Sequence, residues 1–152
     1  MFQFIKKMIA IYTAIIFFVI LDRFLKVLAL VNQERQFNLI GEILKFNYQA
    51  NHYIAFSLPL AGRVLIVLLI LIISVLILLG LFYWFKHQYD KSALLFLIVL
   101  GAGSNLFDRL KYGQVIDYLD LKYFTVFNLA DAMIVIGVIL LIIILREPLI
   151  KT

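Results

Sequence analysis

From Val64 to Phe85 the chain runs for 22 residues without a charged side chain. A helix needs about 20 apolar residues to cross the hydrocarbon core of a bilayer. Tyr83 and Trp84 stand near the end of this run, as amphipathic rings do at a membrane interface. The rest of the chain agrees. Apolar residues make up 65% of it, and the mean hydropathy is +1.07. Soluble domains average about 45–50% apolar residues. At 152 residues a soluble fold lacks the interior volume to hide this much apolar surface. The expected class is an all-α integral membrane protein with a small β-rich element outside the spans, folded as a single membrane domain over 1–152.

Three further apolar runs bring the expected spans to four, at 8–31, 64–85, 93–107 and 128–145. The first carries Asp22, Arg23 and Lys26 inside its helix, and no small-residue cleavage site follows it, which argues against a signal peptide. Asp22 and Lys26 are four residues apart and can pair on one face. Gly101, Ala102, Gly103 and Ser104 allow close helix approach near the end of the third span. Between the spans lie loops at 32–63 and 108–127. In the first of these, Leu44, Phe46 and Tyr48 alternate with Lys45, Asn47 and Gln49, which predicts a strand in a small sheet on the membrane surface. Pro59 suits a helix start, and Pro148 a helix stop.

Four spans put both termini on one side. Lysine and arginine divide six to six between that side and the two opposite loops, so charge alone does not orient the chain. The net charge of +5 is dispersed and gives no track for nucleic acid. The absence of cysteine excludes disulfides, thiolate chemistry and cysteine metal sites.

Acids at the edge of a span are costly and usually functional. The stretch 101–131 holds Asp108, Asp117, Asp120 and Asp131, four of the nine acidic residues. Asn128 and Asp131, three apart at a helix start, share a face and also fit a capping pair. Asn105 and Arg109, four apart, face the same way at the end of the third span. An arginine fork there can clamp a carboxylate or a substrate backbone. Asp120 reads as a solvated loop charge. His52 and His87 fall on opposite sides, which excludes a histidine zinc pair, and Ser104 lacks an adjacent base for nucleophilic work. Paired carboxylates remain. Two acids held close cannot both ionise readily, so one keeps its proton while the other can deprotonate a water. Asp117 and Asp131 are the expected working pair.

NLFDR at 105–109, VIDYLD at 115–120 and FNLAD at 127–131, in that order before a last span, resemble the bacterial lipoprotein signal peptidases. Asp22 with Lys26, and Asn51 with Ala55 and Phe56, fit the same family. The resemblance covers essentially the whole chain. It implies an endopeptidase that cleaves diacylglyceryl-modified prolipoproteins before the lipidated cysteine, at the outer leaflet of the bacterial cytoplasmic membrane. It implies cytoplasmic termini and an extracytoplasmic β-rich cradle. Asp117 and Asp131 fall on the family's catalytic aspartates. Asn51, Asn105, Arg109 and Asn128 fall on site-lining positions, with Asp22, Lys26 and Asp108 in support. No metal or organic cofactor is implied, the other partners are membrane lipids, and a monomer is expected. Two positions depart from the family pattern: Tyr53 stands where a glycine is usual, and Ala132 where a serine is common. Two other classes compete. A four-span transporter or channel would use Asp22, Asp117 and Asp131 as ion sites within its spans. A non-catalytic assembly protein would need no Asn and Arg converging on two acids.

Overall fold

The computed structural model describes residues 2–52 and 62–146. Tyr53, Ala55, Phe56, Pro59 and Pro148 lie outside them. The order of elements is α1 (Phe2–Val31), β1 (Phe37–Ile40), β2 (Leu44–Asn51), α2 (Gly62–Phe85), α3 (Tyr89–Tyr112), β3 (Val115–Leu121) and α4 (Leu129–Arg146). Among the described residues, α2, α3 and α4 are long and apolar enough to cross a membrane.

The surface is the reverse of a soluble protein's. Val64, Val67, Leu71 and Leu78 of α2 are more than half exposed, while Asp22, Lys26, Ser104, Asn105, Asp108, Asp117 and Asn128 are buried. Exposed leucine and valine on a helix cost nothing where the solvent is lipid, and a buried charge is tolerated where it is paired. The charges of α1 do not break its helix for that reason. Asp22 and Lys26 pair across one turn at 3.1 Å with both side chains fully buried.

α3 packs on α4 through glycine. A Cβ at Gly101 would stand 2.8 Å from the carbonyl oxygen of Ala130, and one at Gly137 would stand 2.6 Å from Ile98 Cγ1. The expected close approach near Gly101 is present, and Gly137 is its counterpart on α4.

The three strands form one antiparallel sheet in the order β1-β2-β3. The strand expected at 44–49 is β2, which continues to Asn51. The stretch 108–127, expected as an interfacial loop, is different. α3 continues to Tyr112, Gly113 ends it in the left-handed conformation with φ 74°, and β3 starts two residues later. The sequence hides β3 because Val115, Ile116, Asp117 and Tyr118 are all buried. A strand covered on both faces loses the alternation by which strands are read. Ala29, Phe46, Ile116 and Tyr118 form a buried cluster that joins the sheet to α1. The rings of Phe46 and Tyr118 lie 5.5 Å apart between centroids.

Candidate active site

α4 starts at a reciprocal cap. The Asp131 N–H donates to Asn128 Oδ1 at 2.8 Å, and the Asn128 N–H donates to Asp131 Oδ2 at 3.2 Å. This is the capping pair expected from FNLAD. It also has a second use, because the Asn128 side chain bonds outward: its Nδ2 donates to Asp117 Oδ1 at 2.6 Å. One asparagine thus touches both acids.

Strand register and helix phase supply the other partners. Asn51 pairs with Val115 across the sheet, and Val115 shares a strand face with Asp117. Asn51 Nδ2 reaches Asp117 Oδ2 at 2.9 Å. From α3, Asn105 Nδ2 donates to Asp131 Oδ1 at 2.7 Å. Arg109, one turn further, places Nη1 3.4 Å from the Asn105 carbonyl oxygen, with its guanidinium in electrostatic reach of Asp131, Asp117 and Asp108. The structure therefore brings together all six residues expected at the site.

Asp120 falls on the opposite face of β3 from Asp117. It is only half-buried, and it accepts from Asn47 Nδ2 at 3.1 Å. It takes no part in this cluster.

Beneath the pair lies a charged network in which the three residues expected as support all take part. Lys26 Nζ bonds Asp108 Oδ2 at 2.8 Å, Asp22 Oδ2 at 3.1 Å and Asn105 Oδ1 at 2.8 Å. Arg23 pairs with the other oxygen of Asp108. Two cations thus meet two carboxylates, so the buried network is close to neutral. Asp22 Oδ1 also accepts the Ala130 N–H at 3.1 Å, which satisfies a donor of the first turn of α4.

Three further participants have no site role in the sequence reading. Ser104, read as a small packing residue, donates to Asp22 Oδ2 at 2.6 Å. Tyr118 donates to Asp22 Oδ1 at 3.0 Å and accepts the Leu129 N–H at 3.0 Å. Arg23, which the sequence marks only as one of three charges inside α1, pairs with Asp108. No spacing rule marks these residues, since their partners are 81 to 96 residues away or belong to another helix's first turn.

The site lies at the sheet end of the bundle. Burial, and next the charge of Asp131, push the Asp117 carboxyl up to about 6 from its ordinary 3.8, against the lowering effect of the Asn51 and Asn128 amides. A carboxyl there can hold a proton near neutral pH that a solvated aspartate would have lost. Among the described residues no group of three or more His, Asp or Glu converges as metal ligands would. Every buried carboxylate among them lies at this one end, so an ion path through Asp22, Asp117 and Asp131 has no continuation along the bundle. The transporter reading finds no support.

Residues 14–146 match the family model described as signal peptidase (SPase) II. A lipoprotein signal peptidase of Halothermothrix orenii is 34% identical over 90% of this chain and 95% of its own length. Another, of Clostridium novyi, is 35% identical over 88% of this chain and 95% of its own. Two solved structures, both of bacterial membrane enzymes, superpose with TM-scores of 0.78 and 0.75. The first is 26% identical and covers 98% of this chain and 95% of its own; the second is 27% identical and covers 95% and 96%.

Proposed function

The chain belongs to the signal peptidase II family, and from that premise we propose that it removes signal peptides from diacylglyceryl-modified prolipoproteins. Membership makes it a membrane protease of lipoprotein processing. The aspartic mechanism is our reading of the site, with Asp117 and Asp131 as the catalytic pair and Asn51, Asn105, Arg109 and Asn128 lining it. The observation that carries this reading is the bridge through Asn128, which bonds both carboxyls at once.

The chemistry asks for one ionised and one protonated acid. The ionised acid takes a proton from water as its oxygen adds to the scissile carbonyl carbon. The protonated acid polarises the carbonyl oxygen. Burial supports this division, because it disfavours a second charge beside the first. The place of the site supports a lipidated substrate: a peptide bond beside a diacylglyceryl cysteine is held at the membrane surface, at the level where spans give way to sheet. We further assign α1 as a fourth span, with both termini cytoplasmic, the sheet extracytoplasmic and the whole chain as one membrane domain.

The test is incubation of the purified protein with a diacylglyceryl-modified prolipoprotein and with its unmodified precursor. Release of the signal peptide from the modified substrate alone is expected. Equal cutting of both substrates would remove the lipid from recognition. Undiminished cutting by both Asp117→Asn and Asp131→Asn would remove the aspartic mechanism.

A further inference from the structure

Resting on that reading, we infer that the Tyr118 hydroxyl positions the catalytic pair: it holds the first turn of α4 against the strand that carries Asp117, and so sets where Asp131 stands. The hydroxyl bonds neither carboxyl of the pair. It acts through the backbone of α4.

The approach to α4 runs along β3. Leu119 exchanges backbone bonds with Phe127: its N–H donates to the Phe127 oxygen at 2.8 Å, and its oxygen accepts the Phe127 N–H at 3.0 Å. The chain then enters the helix, and the two residues before Leu119 hold it from opposite faces of the strand. On one face Asp117 accepts from Asn128 Nδ2 at 2.6 Å. On the other the Tyr118 hydroxyl accepts the Leu129 N–H at 3.0 Å. Phe127 and Asn128 precede the helix. Of these bonds, Tyr118's is therefore the one that reaches a residue inside it.

A helix leaves its first N–H groups without partners in its own backbone. In α4 each finds a side chain. The Leu129 N–H goes to Tyr118, the Ala130 N–H to Asp22 Oδ1 at 3.1 Å, and the Asp131 N–H to Asn128 Oδ1 at 2.8 Å. Tyr118 and Asp22 work as one unit, because the hydroxyl donates to that same Asp22 oxygen at 3.0 Å. A phenol has one proton to give and lone pairs to receive with, and both are used. Lys26 and Ser104 hold the other oxygen of Asp22. One oxygen atom thus joins β3, α1 and α4, beside Asp117 in the chain and within the same helical turn as Asp131.

Tyr118 is fully buried, with its ring against Phe46. A lost partner in a closed site is not made good by bulk water. Without the hydroxyl, the Leu129 N–H lacks its acceptor and Asp22 lacks a donor. The first turn relaxes, and Asp131 moves with it. The ring alone supplies packing and none of this.

The experiment starts from Tyr118→Phe, which removes only the oxygen. The kcat for signal-peptide release is expected to fall by between about 10-fold and about 100-fold with KM within about 2-fold, since the geometry of attack is disturbed and substrate binding is not. Leu95→Ala controls for stability. Leu95 is buried on α3 and meets Gly80 of α2, about 15 Å along the helix from Asn105. This variant should lose at least as much melting temperature as Tyr118→Phe and keep the wild-type kcat when assayed well below its melt. An ester in place of the backbone amide at Leu129 removes the donor and keeps the side chain. It should repeat the kinetics of Tyr118→Phe. The two changes together should be no slower than the slower one alone, because each breaks the same bond. Should Tyr118→Phe not fold, the ester decides by itself. Crystal structures of wild type and variant give a readout without substrate, with the Asp131 carboxyl displaced from Asp117 by about 0.5 Å or more. Superposable carboxyls, a wild-type kcat in either variant, an equal fall of kcat in Leu95→Ala, or additive losses would each overturn the inference. A prolipoprotein left uncut by wild type would count against the proposed function, and the displacement of Asp131 would still be read from the structures.

Discussion

Asn128 shows how one residue can serve folding and chemistry together. Its backbone N–H and side-chain oxygen close the cap of α4, and its remaining amide nitrogen holds Asp117. Because Asp117 and Asp131 share that bridge, their variants should not add. Asp117→Asn and Asp131→Asn are each expected to reduce cleavage by about 1,000-fold or more, and the double variant to be little worse than either. Asp120→Asn, bonded to Asn47 on the far face of β3, should retain most activity. The steady-state rate of signal-peptide release measures all four. The pH profile should be bell-shaped, with its alkaline limb at or above about 6, where Asp117 loses its proton. Stability follows the same group. Its carboxyl is raised in the fold, so its contribution is complete below 3.8 and is lost as pH rises through about 6. Across that window thermal melts of wild type should lose stability relative to Asp117→Asn, which has no proton to release there. An unchanged difference between the two would show that Asp117 does not titrate in the window.

The position of Asp131 depends on how closely α4 can lie against α3. Gly101 faces the first turn of α4, where a new Cβ would meet the Ala130 carbonyl oxygen at 2.8 Å, the Ile134 side chain at 3.1 Å and Met133 Cβ at 3.3 Å. A backbone oxygen cannot rotate aside as a side-chain end does. Gly101→Ala should therefore push the first turn of α4 outward and carry Asp131 with it. A displacement near 1 Å can cost about 100-fold in rate, and a loss between about 10-fold and about 100-fold is expected. Gly103, two residues on, has open space around its Cβ position. Gly103→Ala should leave cleavage unchanged and hold the helix slightly better. Rates and melting temperatures of the two variants measure this contrast, and equal effects would show that the close approach does not set the site.

At the scale of the whole molecule, the buried carboxylates of the described residues are gathered at one end of a bundle whose flanks are apolar. The sheet covers that end, and the short α2–α3 turn and the N-terminus of α1 mark the other, where Lys7 pairs with Asp90 at 3.1 Å. We expect the sheet end to face outward. Because the chain has no cysteine, single cysteines can be placed at Lys91 and Lys122 and tested with an impermeant thiol reagent on intact cells. Labelling at 122 and not at 91 is the expected result, and the opposite pattern would reverse the orientation.

Much of this was determined by the sequence alone. Long uncharged runs allow one solvent, so the membrane class follows from composition. The four-residue spacing of Asp22 and Lys26 and the three-residue spacing of Asn128 and Asp131 fix local pairs through helix geometry, and both pairs are present. Asn105, Arg109, Asn128 and Asp131 were legible because isolated polar groups at span ends stand out against an apolar background, whereas Asn51 entered only through the family resemblance. What only the tertiary structure decided is whatever depends on distant chain segments meeting. β3 lost its alternation because it is buried on both faces. Tyr118, Ser104 and Arg23 show no site role until the partners of α1, α3 and α4 are brought beside them. The fall of Asp108 to Lys26 and Arg23, and not to its neighbour Arg109, is likewise set by packing. Helix periodicity places a side chain on a face, but it does not say which charge from another helix waits opposite.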